Sequence, residues 1–339
     1  MAKVVVLSGA GISAESGIST FRDSDGLWEE YDVKDICTAG CLETNRDMTI
    51  EFYDKRRLDL KNKEPNTAHK VLAELKTKYK DDIAIITQNV DNLFEKAGMT
   101  HDDVVHLHGY LTEVECEKCE ATYDIGYKKI EDSFNGKCPT CSSKKIRPNI
   151  VMFGEAVPLY DKLYKEIEDC ELFIVIGTSG SVVSVDNITV HVEKSILNNL
   201  EQSKAIFDEL YSKVLYKKAT EAIDEIALDI ENMLNSRVDA LTSKLINATV
   251  HMRDYDLSGL CFEYKIDAES LHNYLIKIIN EVDDLSEDEF NSVMTNLIVE
   301  FKNIRDYKLG DYEIVKDYNA LLCFFITDFS YNSTRIKGV

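Results

Sequence analysis

Four cysteines form two closely spaced pairs in the middle of the chain. Cys116 and Cys119 are separated by two residues, eighteen residues follow, and Cys138 and Cys141 repeat the first spacing. Two such pairs at this distance fit a zinc ribbon with four thiolate ligands, which leave no open position for water. The spacing therefore predicts a structural zinc ion rather than a catalytic one.

Two short polar runs follow apolar stretches of sequence. His106-Leu107-His108-Gly109 ends one stretch, and Gln88-Asn89-Val90-Asp91 follows another. Side chains at the ends of parallel strands line a ligand crevice, and a histidine there can act as a general base because its pKa lies near neutrality. A histidine in that position can equally be a hydrogen-bonded structural residue, and Asn89 or Asp91 can simply cap a helix.

A glycine-rich run, Gly9-Ala10-Gly11-Ile12-Ser13, directly follows the first apolar stretch. In a dinucleotide-binding turn, the missing side chains let backbone N–H groups approach a pyrophosphate. A glycine turn after a strand also occurs for structural reasons alone. The acidic residue that usually ends a second strand about 20 residues later is absent, so hydride transfer is not favoured.

Three continuous apolar runs predict the strands that position these residues. They cover Lys3 to Ser8, Ile83 to Ile86 and Leu172 to Gly177, and helix-like segments separate them. Continuous rather than alternating apolar strands indicate a parallel sheet covered on both faces. The predicted fold is therefore α/β, with a Rossmann-like, doubly wound parallel sheet.

Changes in composition divide the chain into regions. Residues 111–147 are charged, bear the cysteine pairs and contain few apolar residues, so we predict a small zinc-binding insert within a domain spanning 1–234. In the remaining region, 235–339, Ser286-Glu287-Asp288-Glu289 resembles a capping box and apolar residues recur at helical spacing. We expect a mostly helical C-terminal appendage there, which could bind an unknown protein partner.

The overall charge limits the partners. The net charge is −22, with 44% hydrophobic and 29% charged residues, which is ordinary for a globular protein except in its acidity. An acidic surface disfavours nucleic acid and anionic membranes and favours a basic peptide. No stretch has the length of a signal-peptide core or a membrane span, so we expect a cytoplasmic protein.

Taken together, the motifs resemble those of the sirtuins, the Sir2 family of NAD-dependent protein lysine deacylases, and in particular the bacterial type. The match runs in the same order along residues 1–234. Its segments are GAGISAESGISTFR (9–22), TQNVDNL (87–93), HLHG (106–109), the two cysteine pairs, RPNIVMFGE (147–155) and GTSGS (177–181).

The resemblance implies a reaction and a set of roles. The acyl-lysine oxygen would attack the nicotinamide ribose of NAD, His108 would act as general base, and Asn89 would orient ribose and water. Nicotinamide and O-acyl-ADP-ribose would be the products. The implied NAD contacts are Gly9, Ala10, Gly11, Ile12, Ser13, Glu15, Phe21, Arg22, Trp28, Gln88, Asn89, Val90, Asp91, Gly177, Thr178, Ser179, Asn199, Leu200, Glu201 and Ala219.

The resemblance also implies how the acylated protein is bound. Tyr53 and Arg56 lie three residues apart, on one face of a predicted helix, and resemble the Tyr-x-x-Arg pair of sirtuins that accept succinyl- and malonyl-lysine. A guanidinium can bind a carboxylate through two hydrogen bonds. Phe153, Gly154, Glu155 and the residues after them are expected to form an extended edge that pairs with the substrate backbone.

Two departures from the family pattern lead to further expectations. Phe94 stands where a histidine is usual, and we expect this change to affect packing more than chemistry. The segment 181–198 is short and lacks a clear helix. Two other functions stay open: NAD hydrolysis or ADP-ribosyl transfer at the same site, and a non-catalytic, NAD-sensing or scaffolding module.

Overall fold

The computed structural model describes residues 2–19 and 32–235. The chain divides into two units, Met1–Ile230 and Glu231–Val339, and the first is described here. The predicted helical region 235–339 lies outside the described residues, apart from Asn235.

The described strands are three to eight residues long. They are β1 (Val4–Ser8), β2 (Ile83–Thr87), β3 (Val104–His106), β4 (Gly109–Cys116), β5 (Thr122–Asp124), β6 (Ile146–Ile150), β7 (Leu172–Ile176), β8 (Lys194–Asn199) and β9 (Lys213–Tyr216).

The described helices range from single turns to several turns. They are α1 (Gly11–Ala14), α2 (Val33–Ile36), α3 (Cys41–Thr44), α4 (Arg46–Leu60), α5 (Thr67–Tyr79), α6 (Leu93–Lys96), α7 (Tyr160–Ile167), α8 (Val185–Thr189) and α9 (219–235). None of these helices combines the length and the hydrophobicity that are needed to cross a bilayer.

Six strands form one parallel sheet in the order β3-β2-β1-β7-β8-β9. Every residue of β1 and of β7 is buried, which confirms the prediction of strands covered on both faces. The strand order reverses between β1 and β7. In open α/β sheets the ligand crevice lies outside the carboxyl ends of the strands at such a reversal.

A second, smaller sheet carries the cysteine pairs. Its three antiparallel strands have the order β5-β4-β6. It has a small core of its own, made by Val114, Ile125, Ile130 and Ile146. The insert predicted over 111–147 corresponds to this sheet, although β4 begins two residues earlier and β6 ends three residues later.

The sequence predicts no clear helix in the short segment 181–198, but the structure contains one. Helix α8 (Val185–Thr189) is a little more than one turn long. The Asp186 carboxylate accepts hydrogen bonds from the Phe207 backbone N–H at 2.9 Å and the Tyr211 hydroxyl at 3.1 Å. These bonds come from residues about 20 positions later, so local sequence could not reveal what stabilises the helix.

Two consecutive arginines on α4 have different environments. The side chain of Arg57 is fully buried and forms an ion pair with Asp54 on the same helix. Its Nε also donates to the Leu111 carbonyl of β4 at 2.8 Å. The Asp54 carboxylate accepts the Ile130 backbone N–H at 3.3 Å. The pair therefore joins α4 to the smaller sheet.

We expect Arg57→Met to lower the free energy of unfolding by about 3–5 kcal/mol, because it leaves the Asp54 carboxylate buried without its cation. Arg56→Met, one residue away, should lower it by less than about 1 kcal/mol, because Arg56 is partly exposed and lies over aromatic rings. Urea unfolding of both variants measures the difference. Equal losses would contradict the assignment of the buried ion pair.

Candidate active site

Three of the predicted site segments meet at the carboxyl edge of the large sheet. Ser8 of β1 lies beside Thr87 of β2 on one side and Ile176 of β7 on the other. The residues that follow are linked directly: the Gln88 backbone N–H donates to the Ser8 carbonyl at 2.8 Å, and its side-chain amide donates to Thr178 Oγ1 at 3.0 Å. The loops after β1, β2 and β7 therefore surround one crevice.

The glycines bring the loops after β1 and β7 into backbone contact. A Cβ on Gly11 would lie 2.6 Å from the Gly177 Cα, and one on Gly9 would lie 2.7 Å from the Gly177 carbonyl oxygen. Real Cβ atoms do not approach other atoms so closely, so only glycine fits. Gly177 itself has a φ of +65°, which favours glycine.

The backbone N–H groups of this glycine turn already donate within the protein. Gly9 donates to the Ile176 carbonyl at 2.9 Å and Gly11 to the Gly177 carbonyl at 2.8 Å, while Ile12 and Ser13 donate to carbonyls of the turn itself. The sequence suggested that the missing side chains expose N–H groups to a diphosphate. In the structure, the absence of side chains at Gly9 and Gly11 lets the loops after β1 and β7 pack against each other, and these loops form the crevice.

A buried hydrogen-bond network links the glycine turn to the segment after β2. The Asn89 amide donates to the Gly9 carbonyl and to Ser13 Oγ, both at 3.1 Å. The Ser13 hydroxyl donates to the Asp91 carboxylate at 2.9 Å. Asp91 also accepts the Leu93 backbone N–H at 3.1 Å, so it stabilises the start of α6 as well. Burial raises the pKa of Asp91, and these hydrogen bonds oppose the rise.

The two histidines of His106-Leu107-His108 are distinguished by their hydrogen bonds. His106 uses both ring nitrogens, Nδ1 on the Asn89 carbonyl at 3.0 Å and Nε2 on the Glu95 carboxylate at 2.8 Å. His108 uses only Nδ1, on the Gln88 carbonyl at 3.0 Å. Its Nε2 is buried and has no hydrogen-bond partner within the described ranges.

The environment of His108 suits a general base. A carbonyl only accepts, so Nδ1 carries the proton and Nε2 presents its lone pair. Burial lowers the pKa of His108, and the hydrogen bond to Gln88 opposes this only in part. The imidazole is therefore neutral at physiological pH and able to accept a proton at Nε2.

Further predicted NAD contacts, Thr178, Ser179 and residues 199–201, lie at the end of β8 and on the loops after β7 and β8. The Asn199 amide donates to the Thr178 carbonyl at 2.9 Å, and the Ser203 hydroxyl donates to the Ser179 carbonyl at 2.6 Å. These bonds join the two loops. Leu200 and Glu201 follow Asn199 and are exposed.

Other predicted NAD contacts are brought in from distant parts of the sequence. The Glu15 carboxylate accepts the backbone N–H and the hydroxyl of Thr220, at 3.1 and 2.7 Å, which places it at the start of α9 next to the buried Ala219. The Val90 carbonyl accepts the Leu111 N–H at 2.8 Å. Phe21, Arg22 and Trp28 lie outside the described residues.

Tyr53 and Arg56 lie together on α4. The Tyr53 hydroxyl is buried and contacts Cys37 Sγ at 3.5 Å and Met152 Sδ at 3.4 Å. The Arg56 guanidinium lies over the rings of Phe52 and Tyr53, 5.7 and 5.9 Å from their centroids. Burial raises the pKa of Tyr53 well above its ordinary value, so the phenol keeps its proton and can donate a hydrogen bond.

The extended edge expected over Phe153, Gly154 and Glu155 is not formed. The Phe153 backbone is already paired inside the chain, with its N–H on the Cys37 carbonyl and its carbonyl on the Ala39 N–H. Gly154 has a φ of +90°, and the Glu155 N–H closes a turn on Met152 at 2.9 Å. The Glu155 carboxylate fixes this turn by binding both terminal nitrogens of Arg147 at 2.9 Å.

Two residues beside the crevice, His69 and Glu95, have no signal in the sequence. His69 lies on α5, 3.4 Å from Ser13 Oγ, and burial lowers its pKa to about 3. The buried Phe94 ring packs edge-on against it, with centroids 5.0 Å apart. The expectation that Phe94 changes packing agrees with this contact. A histidine within an amphipathic helix and a glutamate after a buried phenylalanine are too common to be singled out.

The four paired cysteines converge in the smaller sheet. Their sulfurs all lie within 4.8 Å of one another, and the Cys116–Cys141 and Cys119–Cys138 sulfur pairs are 3.6 Å apart. Four sulfurs around a tetrahedral zinc ion with bonds of about 2.3 Å would be about 3.8 Å apart. The donor set and its spacing thus fit the predicted structural zinc.

Comparisons of sequence identify the family. The sequence profile of the Sir2 family matches residues 9–184. An NAD-dependent protein deacylase of Campylobacter jejuni (strain RM1221) is 49% identical over 234 residues, which cover 69% of this chain and 98% of the relative. One of Helicobacter hepaticus is 39% identical, covering 70% of this chain and all of the relative. The chain belongs to the Sir2 family.

Solved structures of similar fold agree with this result. A Sir2 homologue in complex with NAD matches with a TM-score of 0.60 and 33% identity, covering 68% of this chain and 90% of that chain. A variant Sir2 homologue in complex with ADP-ribose matches with the same TM-score and 32% identity. The large parallel sheet and the small cysteine-bearing sheet are therefore the fold of this family.

The zinc site leads to a prediction about stability. We expect the full chain to contain about one zinc ion, and Cys119→Ser to lose it together with several kcal/mol of unfolding free energy, because a structural zinc holds its module folded. Metal analysis and thermal melting measure both effects. Cys170→Ala is a matched control, since Cys170 is buried outside the cluster and its loss should leave the zinc content unchanged. Full zinc content in Cys119→Ser would refute the ligand assignment.

Proposed function

We propose that this chain is an NAD-dependent protein lysine deacylase that accepts acidic acyl groups as well as acetyl groups. The single observation that carries the proposal is the Nε2 atom of His108, which is buried at the crevice and carries a lone pair. Three comparisons support the same reaction. The chain belongs to the Sir2 family, its relatives carry the name NAD-dependent protein deacylase, and a solved homologue was found in complex with NAD.

The proposed reaction uses NAD as a second substrate, whose nicotinamide–ribose bond is broken as the acyl-lysine oxygen attacks the ribose. His108 takes the proton of a ribose hydroxyl at Nε2. The Gln88 carbonyl holds the ring in the required tautomer, because it can only accept the Nδ1 proton. One water molecule is consumed as the amide C–N bond of the acyl-lysine breaks, and the products are nicotinamide, O-acyl-ADP-ribose and the free lysine.

The hydrogen-bond network beside His108 would hold the cofactor and the attacking groups. Asn89 is fixed by Gly9 and Ser13, so its side chain has one orientation toward the ribose. Asp91 would bind the nicotinamide carboxamide. The loops 9–13 and 177–179, joined by the Gly11–Gly177 hydrogen bond, would enclose the diphosphate and the adenosine.

The preference for acidic acyl groups rests on Tyr53 and Arg56. Arg56 is partly exposed and positively charged, and it could bind the terminal carboxylate of a succinyl or malonyl group through two hydrogen bonds. Tyr53 offers a protonated phenol beside it. The net charge of −22 favours basic, lysine-containing protein segments as substrates.

The backbone N–H and carbonyl of Phe153 already pair with Cys37 and Ala39, which disfavours pairing of this residue with the substrate backbone. Its exposed ring and the residues after the turn, 156–157, are the parts of this segment that a peptide could contact. The predicted strand addition would therefore use the residues that follow Glu155.

We expect His108→Ala to lower kcat/KM for peptide-dependent nicotinamide release by about 100-fold to 10,000-fold, the range for loss of a general base. The full chain is incubated with NAD and a succinylated peptide, and nicotinamide and O-acyl-ADP-ribose are measured. His191→Ala is the control, because that side chain is exposed and lies after α8. Nicotinamide released equally fast without peptide would indicate NAD hydrolysis instead. If no nicotinamide is released, the chain is not an enzyme of this kind.

We expect Arg56→Met to lower kcat/KM for succinyl-lysine peptides by about 10-fold to 100-fold, because a hydrogen bond to a charged group is worth about 1.5–3 kcal/mol. Acetyl-lysine peptides should be affected much less. Lys55→Met removes the same charge from the same helix, where Lys55 pairs with Glu51, and serves as the control. Equal losses for both acyl groups in Arg56→Met would refute the role of Arg56.

A further inference from the structure

His106 and His108 hold two consecutive carbonyls of the segment after β2. His108 Nδ1 lies 3.0 Å from the Gln88 carbonyl oxygen, and His106 Nδ1 lies 3.0 Å from the Asn89 carbonyl oxygen. Strand β3 places both histidines there, since its last residue, His106, pairs with Thr87 of β2. The proposed reaction uses His108, whereas it gives His106 no role.

The hydrogen bonds of His106 determine its proton count. One ring nitrogen faces a carbonyl oxygen and the other faces the Glu95 carboxylate at 2.8 Å. A carbonyl and an ionised carboxylate can only accept, so both nitrogens must carry a proton and the ring is an imidazolium. His106 and Glu95 are thus an ion pair, with 4% and 14% of their side chains exposed.

Four groups face His106 from the surrounding elements. Glu95 of α6 binds it, and Asp91 of the loop after β2 adds a second negative charge nearby. The ring of His101 stacks on it, with centroids 6.0 Å apart, and the Tyr110 ring of β4 packs edge-on at 4.6 Å. The Nδ1 atom of His101 also lies near Glu95, 3.9 Å from its carboxylate.

The balance of these groups favours the charged ring. Burial alone would lower the pKa of His106, but the hydrogen bond and the charge of Glu95, together with the bond to Asn89, outweigh it, and the pKa is raised. Burial, with the charge of Glu95 next in size, also raises the pKa of Tyr110, so this phenol stays neutral.

We propose that His106 is a positioning residue for the proposed deacylation: as an imidazolium bound to Glu95, it holds the Asn89 carbonyl and thereby the Asn89 side chain in the crevice. When the ring loses a proton, one of its nitrogens faces an acceptor without a hydrogen, and one of the two contacts is lost. The bond to the Glu95 carboxylate is the stronger of the two, so the contact to the Asn89 carbonyl is the one lost. Asn89 then keeps its backbone N–H on Thr87 Oγ1 and its side-chain contacts to Gly9 and Ser13, and catalysis falls.

The sign of the pH dependence follows from the two histidines. His108 must be neutral, and its pKa is lowered, so its requirement is met above that lowered value. His106 must be charged, and its pKa is raised, so its contribution is complete below about 6.5, the ordinary value, and is lost as the pH rises through the raised value. The pH profile of kcat/KM is therefore bell-shaped, with an alkaline limb that depends on His106.

Glu95→Gln removes the negative charge of Glu95 but keeps a side chain that can form a hydrogen bond with His106. Without the negative charge, burial dominates and the pKa of His106 falls. The substituted amide can then donate its NH2 to Nε2 of the neutral ring, so that Nδ1–H still binds the Asn89 carbonyl. The alkaline limb should therefore disappear, with kcat/KM near pH 9 about tenfold above the wild-type value, because the wild type loses there a hydrogen bond worth about 1.4 kcal/mol. The acid limb, set by His108, should not move.

The role of His106 is tested by measuring kcat/KM of the zinc-loaded full chain from about pH 5.5 to about pH 9.5. Wild type is compared with Glu95→Gln, His106→Asn and the exposed control His191→Asn, and melting and zinc content check that each variant is folded. His106→Asn should abolish the alkaline limb and lower activity at every pH. An active Glu95→Gln enzyme with the wild-type profile would overturn the inference.

A second measurement is independent of activity and so separates this inference from the proposed function. In full chain labelled with ¹⁵N-histidine, the resonances of His106 are assigned by their absence in His106→Asn. We expect both ring nitrogens to be protonated at neutral pH in wild type, and one of them to be unprotonated in Glu95→Gln. A neutral His106 ring in wild type at pH 7 would overturn the inference even if deacylation is found; absence of deacylation with a charged His106 would reject only the proposed function.

Discussion

The parallel pairing of β1 with both β2 and β7 is the constraint on which the crevice depends. One strand in the middle of the sheet aligns Ser8 with Thr87 and with Ile176, so three segments far apart in sequence end at the same level. Because all these strands run the same way, the residues that follow them come together at one edge. The direct hydrogen bonds from Gln88 to Ser8 and to Thr178 are a consequence of this alignment.

Buried and half-buried charged pairs link the crevice to the elements around it. Arg57 and Asp54 connect α4 to the smaller sheet, and Arg147 and Glu155 fix the turn after β6. His106 and Glu95 connect β3 and α6 to the segment after β2. In each case the charged pair also binds a backbone group, which satisfies part of its hydrogen-bonding capacity away from water. Because each charged pair also binds a backbone group, it determines where the neighbouring loop lies.

The glycine turn illustrates how one motif can have two physical explanations. Its spacing is that of a dinucleotide-binding turn, in which the absence of side chains exposes the backbone to a phosphate. In the structure, the absence of side chains at Gly9 and Gly11 lets the loop after β7 approach to within backbone contact. Both explanations require glycine. Close packing of the two loops comes first, because it forms the crevice that a cofactor could enter.

Much of the fold and part of the site could be predicted from the sequence, because they depend on local pattern and spacing. The continuous apolar runs predicted β1, β2 and β7, and the two cysteine pairs predicted a module whose sulfurs do converge. The order of the motifs was enough to indicate the family. The turn at Gly154 and the helix α8 were not predicted, because Arg147, Phe207 and Tyr211 stabilise them through tertiary contacts.

The sequence by itself determined which residue types were available and in what order: the glycine turn, the polar residues after the strands, the histidine pair and the four thiols. The family resemblance assigned roles to His108 and Arg56, and only the tertiary structure shows how their neighbours of the same type, His106 and Arg57, differ from them in burial and hydrogen bonding. The physical reason is that protonation and burial depend on the groups facing a side chain. Those groups, Gln88 and Glu95 for the histidines and Leu111 for Arg57, are brought into contact only by folding.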